Sequence, residues 1–205
     1  MFRSLERAEN TARLIEAGFR IALTRSTSAE AEWKSVIVTS AAQTAYEIKH
    51  DSYDSEQVVD FLLRDTDNPS SVLSVIKSAR DSARLVRTAL TTEVWTSVND
   101  TWMVLTKRLE APVLQTELPA VLATIRQQSA VVRGALHGTM LRNDIYDFCR
   151  LGTFVERMDS TARIIDVKYY SLLPSPSFVG SRFDNVQWET ILRSVSAHRS
   201  FRWAV

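Results

Sequence analysis

The chain has 205 residues, 45% of them apolar and 24% charged, with a formal net charge of +1. That length buries a sizeable core, and the near-balance of charge offers no bulk field to draw nucleic acid or an anionic membrane. Five glycines and five prolines are too few for the turns of an all-β fold, the single Cys149 excludes an intrachain disulfide framework and suits a reducing cytoplasm, and no apolar run nears the ~20 residues of a membrane span.

The opening MFRSLERAEN is charged too early for a signal peptide. Phe2, Leu5, Ala8, Ala12, Ile15, Phe19 and Ala22 recur every three or four residues, which predicts a long amphipathic helix over 2–25. A second helix is predicted over 29–50, with Trp33, Val36, Ile37, Ala41, Ala45, Tyr46 and Ile48 inward, and a short one over Glu56–Arg64. Asn68-Pro69 predicts the next start, with Asn68 as cap and Pro69 in the first turn of a helix reaching Leu90. Helices follow over 92–109, from a Thr116 cap over Glu117–Leu141, and over Asp144–Leu172. Pro174–Asn185 reads as a loop, and a last helix spans Val186–Trp203.

Two of these helices carry one phrase. Leu5–Ile15 reads LERAENTARLI and Val155–Ile165 reads VERMDSTARII, identical at six of eleven positions. Glu6 and Glu156 stand 150 positions apart, and the single offset points to an internal duplication. The likeness continues in the following helix, where EWKSVIVTSAAQTAY from Glu32 matches QWETILRSVSAHRSF from Gln187 and Trp33 aligns with Trp188. The prediction is a single all-α domain over 1–205, a bundle of about eight helices, with repeat one over 1–110 and a second, incomplete repeat from about 140 to 205. By this internal standard both ends look clipped. The last helix should then bare Ile191, Leu192, Val195, Phe201 and Trp203 and favour self-association there.

The phrases LERAENTARLI and VERMDSTARIIDVKYYSLLP, with FLLRDTDNPSSV between them, resemble the bacterial alpha-E domain family, helical domains with a Glu-Arg motif and no known biochemical function. Its members run longer at both ends. The resemblance implies an accessory protein that works with an ATP-grasp-like ligase or a transglutaminase-like partner in peptide modification. It supplies no catalytic residues.

The charges in the repeated phrase are the candidate site. Glu6, Glu9 and Arg13 share one helix face, as do Glu156, Asp159 and Arg163, with Arg7 and Arg157 a step around. One reading is a set of interhelical ion pairs fixing the register of a pseudo-two-fold bundle, the best-attested use of a buried polar network. The other is a catalytic or small-molecule site between the two long helices. A metal is not expected: Glu47-Ile-Lys-His50 is the single Glu-x-x-His, and its repeat counterparts are Arg202 and Val205. No cofactor is expected either, because no glycine-rich phosphate loop is present. Asn68, Ser70 and Ser71 form a second candidate, an anion site at a helix start.

Overall fold

The computed structural model describes residues 1–24, 29–170 and 179–204. Among them are ten α-helices: α1 Phe2–Thr24, α2 Ala29–Thr39, α3 Gln43–Glu47, α4 Ser55–Leu63, α5 Val72–Leu85, α6 Thr92–Arg108, α7 Leu118–Thr139, α8 Asp144–Tyr170, α9 Arg182–Ser194 and α10 His198–Ala204. A single 3-10 turn, Arg87–Ala89, joins α5 to α6. The fold is all-α.

Short polar residues set the helix starts. Asp54, Ser71, Thr91 and Ser181 cap α4, α5, α6 and α9 by accepting hydrogen bonds from backbone N–H groups two or three residues on. Each cap contributes about 1 kcal/mol.

Helix α1 is the axis of the bundle and packs against α8, α7, α5, α2 and α9. Phe2, Leu5, Ala8, Ala12 and Ile15 are buried along it, and Val75, Ile76 and Ala79 of α5 with Val121, Leu122, Ile125 and Val132 of α7 belong to the same core. Helix α8 lies on α1 and α2, while α9 lies on α1, so each long helix of the repeated pair packs on the partner of the other.

The predicted second and last helices each break in two. Helix α2 ends in a turn at Ala41 (φ 56°), where Ala42 N–H donates to Ile37 O at 3.3 Å and Ala41 N–H to Val38 O at 3.0 Å. Helix α9 ends in the same turn at Ser196 (φ 58°), where Ala197 N–H donates to Leu192 O at 2.7 Å and Ser196 N–H to Arg193 O at 3.1 Å. This pair of bonds is the Schellman ending, usually built on glycine. With alanine and serine in its place the periodicity runs on unbroken and conceals the stop.

Three further boundaries differ from expectation. Asn68 is not a cap: it is buried, its Nδ2 donating to Phe61 O at 3.0 Å and its Oδ1 accepting from Ser70 N–H at 2.9 Å. It braces the turn between α4 and α5, so α5 starts later, on Ser71, and stops at Leu85. Thr116 caps nothing, because α7 begins after Glu117 without a side-chain cap. The expected loop over Pro174–Asn185 lies outside the described residues as far as 178, and its end is the first turn of α9.

Candidate functional site

The repeated Glu-Arg residues meet where α1 crosses α8. Glu6 and Glu156 are buried, 1% and 3% exposed. Arg157 grips Glu6 through Nε to Oε1 at 2.8 Å and Nη2 to Oε2 at 3.2 Å. Arg7 grips Glu156 through the same atoms, at 2.6 and 3.1 Å. The two forks use one dipeptide reciprocally, the arginine of each helix holding the glutamate of the other. Such two-point guanidinium–carboxylate contacts fix geometry as well as charge.

Further arginines complete the satisfaction of these carboxylates. Arg3 Nε donates to Glu156 Oε2 at 3.1 Å. Glu9, also buried, is held by Arg13 one turn on and by Arg133 from α7, the latter donating through Nη2 to Oε1 at 3.2 Å. Arg133 also lies 3.7 Å from Glu6. The eight residues of the candidate cluster therefore fall into two groups. Glu6, Arg7, Glu9, Arg13, Glu156 and Arg157 form buried-centred pairs, whereas Asp159 and Arg163 pair with each other along α8 in a half-exposed position. The hydrogen bond to Glu6 raises the Arg157 pKa, and burial lowers that of Arg13. Both stay cationic at any working pH.

Arg3 and Arg133 were not foreseen. Comparing the chain with itself pairs only repeat with repeat, and Arg133 lies between the repeats. The legible signal was spacing: Arg126 and Arg133 are seven apart on α7, as are Glu9 and Glu16 on α1, and Arg126 does pair with Glu16.

Two cavities flank the crossing. One, of 220 Å³, has Arg7, Asn10, Ala41, Glu156, Asp159 and Arg163 in its wall. Asn10 stands in that wall, and its Nδ2 is itself buried with no hydrogen-bond partner. The other, of 430 Å³, is its counterpart beneath the Ser196 turn and is strongly basic, with Arg13, Arg20, Arg126, Arg193 and Arg199 beside Glu16. The anion site expected at Asn68, Ser70 and Ser71 does not open as such. Asn68 spends its polar atoms on backbone groups, Ser71 Oγ accepts from Ser74 N–H and donates to Ser74 Oγ, and Ser70 joins the wall of the smaller cavity. Among the described residues no three of His, Cys, Asp and Glu gather in a way that could hold a metal ion. None of the described helices is long and apolar enough to cross a membrane.

Fold and site together define a helical bundle cross-braced by reciprocal Glu-Arg pairs. The chain belongs to the Alpha-E family, whose model, described as a predicted alpha-helical domain with a conserved ER motif, matches residues 1–205. Glu6-Arg7 and Glu156-Arg157 are the two Glu-Arg dipeptides of the sequence. No curated protein and no solved structure matches the chain.

Proposed function

We propose that this chain is an accessory, non-catalytic helical protein of the cytoplasm that acts with a peptide-modifying enzyme, an ATP-grasp-like ligase or a transglutaminase-like protein. One observation carries the non-catalytic half of this reading: the buried carboxylates of Glu6, Glu9 and Glu156 are each engaged by two or more arginines. A general base or a metal ligand needs a free lone pair facing substrate, and these carboxylates are turned into arginine forks. The partner half rests on the resemblance of the repeated phrases to the alpha-E family. The test pairs the purified chain with an ATP-grasp-like ligase from its gene neighbourhood and follows ADP release with an acceptor peptide. The chain should raise the ligase rate and release no ADP by itself. Turnover by the chain alone, or a ligase indifferent to it, would overturn the reading.

A second reading, a small-molecule binder, is favoured by the unpartnered amide of Asn10 in the 220 Å³ cavity. A buried donor without an acceptor costs about 1–3 kcal/mol, and a ligand oxygen placed opposite would recover it. Such a ligand would raise the melting temperature of the parent and not that of Asn10→Ala.

A further inference from the structure

The repeated phrase sets Glu6 against Glu156 at an offset of 150 positions, and at the same offset the remaining faces of α1 and α8 differ. On α1 the face made by Leu5, Ala8, Ala12 and Ile15 is buried in the core shared with α5 and α7. On α8 the equivalent residues, 150 positions on, are Val155, Met158, Ala162 and Ile165, and all four are exposed, Met158 by 67%. Leu151 and Phe148 extend the stripe toward the start of α8, 56% and 71% exposed. Positions 148, 151, 155, 158, 162 and 165 alternate three and four apart, the spacing of a seam that receives another helix. A contiguous apolar stripe of this length marks an interaction site rather than scattered surface leucines.

The charges beside the stripe say which helix. On α1, Glu9 and Glu16 are met by Arg133 and Arg126 of α7, which runs antiparallel to it. Their counterparts on α8 are Asp159 and Asp166, also seven apart. Asp159 pairs only with Arg163 of its own helix, and Asp166 has no ion-pair partner among the described residues. The acids, their spacing and the apolar face beside them are present, and among the described residues no basic helix meets them.

We propose that this face of α8 docks a helix of the α7 kind from outside residues 1–205. The docked helix runs antiparallel to α8, apolar on one side, with two basic residues seven positions apart that reach Asp159 and Asp166. A second copy of this chain is not the occupant, because its own α7 is already spent on α1. The inference goes beyond the accessory role above and stands on the packing and the charge pattern of α8.

The probe is a fluorescent peptide of residues 117–140, the α7 sequence, titrated with the 205-residue chain and followed by anisotropy. Saturable binding is expected. It should weaken at least about tenfold for the Arg126→Glu/Arg133→Glu peptide, and equally when Asp159→Arg/Asp166→Arg protein meets the parent peptide. Combining both reversals should restore binding, which a peptide merely displacing α7 from α1 would not do. Absence of saturable binding by a peptide shown to be helical in the same buffer overturns the proposal. So does binding indifferent to the charge reversals. A dimer of the chain that Met158→Glu dissolves and the peptide cannot compete would overturn it too, in favour of a second copy.

Discussion

Ala41 and Ser196, 155 positions apart, are the two non-glycine residues among those described with positive φ, at 56° and 58°. The separation is the one that aligns Trp33 with Trp188, and each residue closes the helix that follows a Glu-Arg helix. The likeness between the two halves thus reaches the backbone, where a rare conformation recurs in register. Each turn also lies in or beside a cavity wall, Ala41 with Arg163 and Ser196 with Arg13.

A left-handed residue bearing a Cβ costs roughly 1–2 kcal/mol, part of which glycine returns by its greater freedom in the unfolded chain. Ala41→Gly and Ser196→Gly should each stabilise the protein by about 0.5–1 kcal/mol, raising the melting temperature by about 2 °C. Calorimetry showing either glycine to be destabilising would mean that the side chain is needed where it stands.

Glu156→Ala should destabilise by about 3 kcal/mol, the low end for breaking a buried pair because Arg3 and Arg7 remain partly solvated. Glu117→Ala, exposed and making no cap bond, should stay within about 0.5 kcal/mol of the parent. Equal denaturant midpoints for Glu156→Ala and Glu117→Ala would remove the buried cluster from the account.

A methyl group at Gly18 would overlap Cγ2 of Val36, where α1 meets α2. Overpacking costs about 1–3 kcal/mol, against about 1 kcal/mol that alanine gains over glycine within a helix. Gly18→Ala should therefore destabilise the parent and stabilise the Val36→Ala background. A substitution with the same sign in both would show that the helices do not approach so closely.

His137 titrates below the ordinary imidazole value of 6.5, first through partial desolvation and then through Arg150, Arg142 and Arg133. Its Nδ1 lies 2.7 Å from the Tyr146 hydroxyl. Because its folded pKa is depressed, its contribution to stability is complete above 6.5 and is lost as pH falls through the folded value. Proton NMR should find this histidine titrating below 6.5, and His137→Gln should lose less stability than the parent between neutral pH and about pH 5. A titration midpoint above 6.5 would contradict that environment.

Much of this was legible in the sequence, for physical reasons. The long helices α1 and α8 announced themselves by period, and their meeting by the repetition of charges that have little reason to recur except across a shared interface. The two turns were illegible because alanine and serine occupy positions that usually hold glycine. Asn68 read as a cap because capping and bracing use the same amide. Arg133 escaped because it lies on a helix outside the repeat, 124 residues from its partner Glu9.

The central claim is that the Glu-Arg dipeptides brace α1 against α8, and a double-mutant cycle on Glu6 and Arg157 tests it most directly. Unfolding free energies would be measured for the parent, Glu6→Gln, Arg157→Gln and the double variant, and again for Glu156 and Arg7. The account predicts a double variant less destabilised than the sum of its singles, by about 1.5–3 kcal/mol in both cycles. Single losses that add to within about 0.5 kcal/mol would show that the two residues do not hold each other.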